Sequence, residues 1–328
     1  MSSFRTVLQA SPAKHSINYQ DQSLSMGSCF AQHIGRRLQA LQFSVLLNPF
    51  GILYNPLSIA NGLRYLLSDQ WFTPEDLFLH QGLWHSFAHH GRFSDPDQSL
   101  ALAKINEALD QGRQQLRRSN RLLITLGTAQ VFYHLPSEQA VANCHKLPDQ
   151  MFVRKQLSPQ EITSILQPLF QQLYAAQPDL KIITSVSPVR HLRDGLVQNQ
   201  RSKASLLLAL QTISEQLPFV SYFPAYELLL DDLRDYRFYE ADMLHPNGQA
   251  IDYIWNFFKN QYLDAATQQI GRAIEKIKQA SEHRPFHPHS PAHQQFLQKQ
   301  LQQIEQLIQR YPFLDFAEEK ARFTAQLI

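Results

Sequence analysis

Apolar and polar residues alternate along the chain in blocks that predict strands followed by helices. A short apolar run ends at Gly27, and residues 29–41 then repeat apolar side chains at spacings of four and three, as on one face of a helix. The run FSVLLNPFG, residues 43–51, has the composition of a short buried strand that ends in turn residues. The chain therefore begins with a strand, a turn, a helix and a second strand.

The same periodicities continue to about residue 260. They predict helices over residues 56–68, 98–118, 202–217 and 248–260, and strands over residues 121–127, 180–188 and 217–224. Another helix is predicted to begin after Ser158, which forms a capping-box pattern with Glu161. Because strands alternate with helices, we expect an α/β fold, a three-layer α/β/α sandwich around a central, mostly parallel sheet.

Residues 70–96 interrupt this pattern with an irregular segment that is rich in aromatic residues and histidine and too long for a simple connector. Trp84 and His85 are predicted to contact substrate as part of a lid or pocket wall, or else to pack the segment onto the core. His85, His89 and His90 have no carboxylate or cysteine pair beside them at ligand spacing, so no metal site is predicted.

The last part of the chain changes character and becomes rich in Gln, Lys and Glu, with a Pro/His-rich break at residues 282–293. This pattern predicts two amphipathic helices that pack on the domain, form a homodimer or project as an antiparallel pair. We therefore divide the chain into an α/β domain, residues 1–261, and a C-terminal helical extension, residues 262–328.

Composition narrows the class of protein. With 328 residues and 44% hydrophobic residues the chain can bury a large core, and 30 Lys and Arg against 28 Asp and Glu give a net charge of +2, which does not favour a nucleic-acid partner. Cys29 and Cys144 form no C-x-x-C pair, and we find no signal peptide and no apolar run of about 18 residues. We expect a soluble cytoplasmic protein without a membrane partner.

Two distant stretches carry groups suited to acyl transfer. Ser28 follows the first strand, where its hydroxyl could attack a carbonyl carbon, although serine is also a favoured helix N-cap. Asp242 precedes His245 by three residues, so its carboxylate could orient the imidazole toward Ser28. Cys29 is an alternative nucleophile, because a helix N-terminus lowers the pKa of a thiol, or else a small buried side chain.

These stretches carry a resemblance to a known family. MGSCFAQHIG, residues 26–35, resembles the signature of the GSCFA-domain family, and residues 23–260 are similar to a divergent branch of the SGNH/GDSL hydrolase superfamily. The supporting motifs are NPFGILYNP, WHSFAHHGRF, TLGTAQVF, NCHK, SPVRH and DMLHPNG. The resemblance implies an SGNH-hydrolase-like fold and chemistry that needs neither a metal nor an organic cofactor.

The resemblance also implies roles for individual residues. Ser28 matches the superfamily's nucleophile, and Asp242 with His245 matches its closing D-x-x-H block. Gly51 resembles the glycine whose backbone N–H joins the oxyanion hole.

The third block of the superfamily departs from its usual pattern here. Ala129 stands where an asparagine normally completes the oxyanion hole. We favour Asn143 as the replacement, because its amide can donate a hydrogen bond, although it could instead hold its own loop. Thr128 is the other candidate, and its alternative role is to stabilise a turn.

Arg190 and His191 follow another predicted strand end and should lie near Ser28. Arg190 could bind an anionic substrate group or pair with an acid, and His191 is a second candidate base. Together with the resemblance, these residues indicate a serine-dependent esterase-like hydrolase or acyltransferase that acts on a small, acetyl-type ester of a carbohydrate or metabolite. The alternative is an SGNH-like scaffold that has lost hydrolysis and binds a ligand or partner.

Overall fold

The computed structural model describes residues 5–193 and 195–328. Its strands are β1 (Gln22–Gly27), β2 (Ser44–Leu47), β3 (Phe78–His80), β4 (Leu83–His85), β5 (Arg121–Leu126), β6 (Gln130–His134), β7 (Gln139–Val141), β8 (Phe152–Gln156), β9 (Lys181–Val186) and β10 (Val220–Phe223). Its α-helices are α1 (Cys29–Ala40), α2 (Pro56–Leu67), α3 (Gln98–Arg118), α4 (Pro159–Ala176), α5 (Gly195–Gln216), α6 (Ala225–Glu227), α7 (Gly248–Tyr262), α8 (Ala265–Glu282), α9 (Pro291–Arg310) and α10 (Ala317–Thr324).

Five parallel strands form the central sheet, in the order β10-β9-β5-β1-β2. The chain leaves β1 toward one edge of the sheet to form β2, and from β5 it continues toward the other edge. The strand order therefore reverses between β1 and β5. In an open parallel sheet such a switch point opens a crevice at the carboxyl ends of the strands, where functional groups collect.

Helices cover both faces of the sheet because side chains alternate along each buried strand. On β5, Leu123 packs with α1 and α7, whereas Leu122 and Ile124 face α2, α3, α4 and α5 on the opposite side. The α/β/α sandwich predicted from the sequence is confirmed.

Three parts of the secondary structure differ from the prediction. Helix α5 begins at Gly195, seven residues before the predicted start, because its first turns expose Leu196 and Val197 (60% and 65%) instead of burying a periodic face. The segment around residues 70–96 contains the antiparallel hairpin β3–β4, and the polar stretch after β5 forms the antiparallel sheet β7-β6-β8. The sequence pattern predicted neither sheet, because their strands are short and only partly buried.

The C-terminal extension holds three helices, α8, α9 and α10, where the sequence pattern predicted two. They share an apolar cluster of their own and pack on the loop that follows α1, where Gln42 accepts the backbone N–H of Asp315 at 2.7 Å. Tyr19 stacks on both Phe43 and Phe313. The homodimer through these helices and the division at residue 262 stay predictions.

In the described part of the chain, no helix combines the length and the apolar character needed to cross a membrane.

His89 and His145 are buried histidines that pack against aromatic side chains. His89 is 1% exposed and stacks on Phe50, and burial, followed by the charges of His145 and Arg92, lowers its pKa to about 3. Burial also lowers the pKa of His145 to about 4. Both side chains are neutral in the folded protein at neutral pH.

We expect the free energy of unfolding to fall as the pH is lowered below about 6.5, because the unfolded chain then binds protons that His89 and His145 do not take up in the folded state. Each group contributes its full stability above that pH and loses about 1.4 kcal/mol per pH unit between its unfolded and folded pKa values. Urea unfolding between pH 7 and 5 measures the slope. His89→Phe, which keeps the ring stacking, should show a smaller slope of the unfolding free energy against pH than the wild type. The control His289→Phe, at an exposed histidine, should keep the wild-type slope. Equal slopes in both variants would contradict this account.

Candidate active site

Ser28 lies at the switch point, directly after β1 and before α1. Its backbone N–H donates to the carbonyl oxygen of Thr125 on β5 at 3.1 Å. Gly27 has a φ of +143°, and a Cβ atom at this position would overlap the same carbonyl oxygen. The Gly27 N–H donates to Oδ1 of Asn48 at 2.9 Å. Glycine at position 27 therefore allows Ser28 to approach the end of β5.

The side chain of Ser28 does not cap α1, although Ser28 occupies the N-cap position. Ser28 is 1% exposed, and within residues 5–193 and 195–328 its hydroxyl has no hydrogen-bond partner. The N-cap side chains of six other helices do accept a backbone N–H: Asn55, Asp97, Ser158, Asn247, Asp264 and Ser290. A buried hydroxyl without a partner is costly, so helix capping does not account for Ser28.

Asp242 and His245 form the hydrogen-bonded pair that the sequence predicted. Oδ2 of Asp242 lies 2.6 Å from Nδ1 of His245, and Oδ1 accepts the backbone N–H groups of Leu244 and His245. These hydrogen bonds, led by that from the His245 backbone, lower the pKa of Asp242 to about 2. With Nδ1 donating to a carboxylate, Nε2 of His245 is available to accept a proton.

His245 is close enough to α1 and to the loop that follows β9 to interact electrostatically with a histidine of each. Burial has the largest effect on the pKa of His33, on α1, and of His191, in that loop, and the charge of His245 lowers both values further. The structure shows no hydrogen bond between His245 and the Ser28 hydroxyl. The Asp–His half of the predicted relay is therefore formed, and the contact between His245 and Ser28 stays a prediction.

The two backbone donors predicted for the oxyanion hole are engaged in this structure. The Gly51 N–H donates to the carbonyl oxygen of Asn48 at 2.7 Å, and the Ser28 N–H donates to Thr125. To bind an oxyanion, each of these N–H groups must leave its present carbonyl acceptor or donate to both oxygens at once.

The two side chains considered for the third block hold local structure. Oδ1 of Asn143 accepts the backbone N–H of His145 at 2.9 Å. The Thr128 hydroxyl lies 3.0 Å from the Ser202 hydroxyl and accepts the backbone N–H of Gln130. Both contacts match the loop-holding alternatives, and a role in the oxyanion hole stays a prediction for each residue.

Trp84 and His85 lie on β4, and both ring nitrogens of His85 contact protein groups, the Ser94 hydroxyl at 2.6 Å and the His80 carbonyl oxygen at 3.2 Å. The same segment also supports the loop that follows β2, because the Arg92 guanidinium donates to the Asn48 carbonyl oxygen at 2.6 Å. The segment packs onto the core, and its contact with substrate stays a prediction. Within the described ranges, no group of three or more His, Cys, Asp or Glu side chains is placed to hold a metal ion.

Arg190 and His191 lie after β9, as predicted. The His191 ring packs against Tyr54, and burial lowers its pKa to about 4. Its Nε2 atom is buried without a hydrogen-bond partner among the described residues. His191 is thus neutral at neutral pH and remains a candidate base.

Arg190 lines a cleft of about 650 Å³ whose wall includes Asp242. Large apolar side chains are exposed in this cleft: Leu192, Leu196, Val197, Tyr236 and Met243. The cleft thus offers apolar and aromatic contacts directly beside the Asp–His pair.

Burial raises the pKa of the Cys29 thiol, an effect larger than the lowering by the backbone N–H groups at the start of α1. The lowering expected for a thiol at a helix N-terminus is therefore outweighed. This geometry does not favour Cys29 as the nucleophile.

Sequence reasoning missed Lys203. This residue of α5 is fully buried, and its ammonium donates to the carbonyl oxygens of Gly127 at 2.7 Å and Ser187 at 2.6 Å. Its spacing from Leu206 and Leu210 places a charged residue on the apolar face of a helix, which is the signal that would have identified it.

Comparison with known families agrees with the motifs. Residues 22–258 match the GSCFA family, and residues 274–328 match the C-terminal domain of GSCFA domain proteins. The chain belongs to the GSCFA family. None of the curated proteins compared with this GSCFA chain matches it.

Solved structures similar to this GSCFA chain include three esterases. A carbohydrate esterase family 3 from Talaromyces cellulolyticus is 8% identical with a TM-score of 0.34, and a family 3 carbohydrate esterase from Clostridium thermocellum is 11% identical with a TM-score of 0.32; each match covers 77% of this chain and 98% of the other. An acetyl xylan esterase from Butyrivibrio proteoclasticus is 12% identical with a TM-score of 0.37, over 74% of this chain and 64% of the other. Similarity at this level does not bear on the activity of the GSCFA chain.

Gly27→Ala should destabilise the protein by more than about 2 kcal/mol, because the added methyl group meets the Thr125 carbonyl oxygen and the backbone is strained. Gly248→Ala is the matched control, since no atom of the described residues outside its chain neighbours and its own helix backbone lies within 4 Å of the added Cβ atom. Thermal and urea unfolding of both variants measure the difference. Equal stability of the two variants would show that Gly27 is not needed for this close approach.

Proposed function

We propose that this GSCFA-family protein is a serine-dependent ester hydrolase or O-acyltransferase that acts on a small, acetyl-type ester. Ser28 is the nucleophile, His245 the general base, and Asp242 the residue that orients His245. The observation that carries the proposal is the buried Ser28 hydroxyl, which has no partner among the described residues and lies at the sheet's switch point. A reactive role explains the cost of leaving such a hydroxyl unpaired.

The proposed reaction proceeds in two steps. Oγ of Ser28 attacks the ester carbonyl carbon, its proton passes to Nε2 of His245, and the alcohol leaves with that proton as the acyl–serine bond forms. Water, or a second alcohol, then attacks the acyl group, and Ser28 regains its proton through His245. The contact between His245 and Ser28 has to form when substrate binds, which is common for catalytic hydrogen bonds.

The cleft beside Asp242 suggests where the alcohol part of the ester binds. Its volume of about 650 Å³ far exceeds the needs of an acetyl group. Tyr236 and Tyr239 lie on its wall, with ring centroids 5.9 Å apart, and offer flat surfaces for a sugar or another ring. A carbohydrate or metabolite ester is consistent with this lining.

A binding protein without turnover is the second candidate function. It is favoured by the engagement of the Ser28 and Gly51 N–H groups, which leaves the predicted oxyanion hole unassembled in this structure. In that case the same cleft holds a ligand and Ser28 takes no part in chemistry.

Ser28→Ala should reduce turnover of p-nitrophenyl acetate by at least about 10³-fold and abolish labelling by a fluorophosphonate probe. Its melting temperature should not fall, because the missing hydroxyl makes no hydrogen bond with the described residues. Cys29→Ala is the neighbouring control and should retain activity and labelling. His245→Ala should lose turnover, whereas His191→Gln should keep it. Equal turnover in the wild type and Ser28→Ala would favour the binding protein.

Tyr236→Ala and Leu196→Ala should raise KM for 4-methylumbelliferyl acetate by about 3- to 10-fold, with little change in kcat, because they remove contacts with the alcohol part of the substrate. Methyl acetate, whose alcohol cannot reach the cleft wall, should be unaffected. Leu208→Ala is the control, since Leu208 is also exposed on α5 but lies outside the cleft. A similar rise in KM for Leu208→Ala would remove the assignment of the cleft.

A further inference from the structure

Lys203 is a fully buried cation that the proposed reaction does not use. Its ammonium has two carbonyl partners, those of Gly127 and Ser187. In the part of the chain that the structure describes, no Asp or Glu side chain acts on its pKa. Burying an ammonium without a counter-ion is costly, and an apolar side chain would fill this position at lower cost. Packing therefore does not account for a lysine here.

The two carbonyl partners place Lys203 beneath the candidate site. Gly127 follows β5 and Ser187 follows β9, and the Thr125 carbonyl that holds the Ser28 backbone lies two residues before Gly127. Lys203 thus joins the ends of two adjacent strands next to the nucleophile.

The preceding residue of α5 holds the same segment. The Ser202 hydroxyl accepts the backbone N–H of Ala129 at 2.7 Å and lies 3.0 Å from the Thr128 hydroxyl. Consecutive side chains of α5 therefore position residues 127–129, the segment in which Ala129 replaces the usual asparagine.

Among the residues that the structure describes, four titratable or charged groups lie near Lys203. Arg190 and His191 approach from the loop after β9, Cys29 from the start of α1, and Tyr226 from α6, where its ring centroid lies 6.0 Å from the ammonium nitrogen. Burial, followed by the charge of Arg190, lowers the pKa of Lys203 to about 7. Because Cys29 adjoins Ser28 and interacts electrostatically with Lys203, the charge of Lys203 acts on the nucleophile's surroundings.

We infer that the Lys203 ammonium stabilises the oxyanion formed at Ser28, in place of the missing third-block amide. The inference rests on the proposed function. Lys203 is a positioning residue, because it acts through the segment it holds and through its electric field, without touching substrate. A fixed positive charge in a poorly solvated site stabilises developing negative charge far better than the same charge in water.

The inference predicts an alkaline limit to activity. The protonated form of Lys203 is the active one, so kcat should fall as the pH rises through about 7 and the ammonium loses its proton. Burial raises the pKa of the Cys29 thiol and of the Tyr226 hydroxyl, so neither group accounts for a limit near that pH. His245 acts in the opposite direction, since a general base must be deprotonated and restricts activity on the acid side.

The test measures kcat and KM of the 328-residue chain for p-nitrophenyl acetate between pH 5.5 and 9, with spontaneous hydrolysis subtracted. Lys203→Met should lower kcat by about 10- to 100-fold at pH 6 with little change in KM, and its residual activity should lack the alkaline limit. Lys203→Arg keeps the charge at all these pH values, so the alkaline limit should disappear while more activity is retained than in Lys203→Met. The arginine variant also provides a result if the methionine variant does not fold.

Ser202→Ala is the control for a purely structural role, because it loosens the same segment without changing charge. It should lower stability but keep the alkaline limit. The inference is wrong if Lys203→Met retains the wild-type kcat. It is also wrong if the wild type shows no alkaline limit and the kcat of Lys203→Met falls only as far as its melting temperature does. In both cases the Ser28 reaction stands. Absence of Ser28-dependent turnover in the wild type would overturn the proposed function and the inference together.

Discussion

The close approach between Gly27 and the Thr125 carbonyl is the contact on which the site depends. A glycine at this point lets β1 end against β5 and lets the Ser28 N–H donate across the gap. Because the strand order reverses between these two strands, the chain leaves them toward opposite edges of the sheet. Ser28 is thus fixed at the one place in the sheet where a crevice is expected from topology.

The neighbouring loops serve to hold that arrangement. Asn48 accepts the Gly27 N–H, and Arg92, from the aromatic and histidine-rich insertion, donates to the Asn48 carbonyl. His89, from the same insertion, stacks on Phe50, which lies two residues after Asn48. The insertion, which the sequence suggested as a lid or pocket wall, therefore supports the loop that holds the Gly27 backbone.

Near the Gly27–Thr125 contact lie polar groups that folding alone does not require. The Ser28 hydroxyl and Nε2 of His191 are buried without partners among the described residues, and Lys203 has carbonyl partners but no acidic partner in the same part of the chain. The Asp242–His245 pair lies in an exposed loop, where His245 interacts electrostatically with His191. Each buried group costs stability, and reactive or electrostatic roles at a single site would explain why all of them occur at the ends of neighbouring strands.

The α/β sandwich, the positions of most helices and the Asp242–His245 pair could be predicted from the amino-acid sequence, because periodicity, capping residues and a three-residue spacing are local properties. It did not reveal that the Ser28 hydroxyl lacks a capping contact, that Gly51 and Thr128 are engaged, or that Lys203 reaches Gly127 and Ser187. These points follow from tertiary contacts, since each depends on which strand ends become neighbours and on which polar groups burial leaves without a partner.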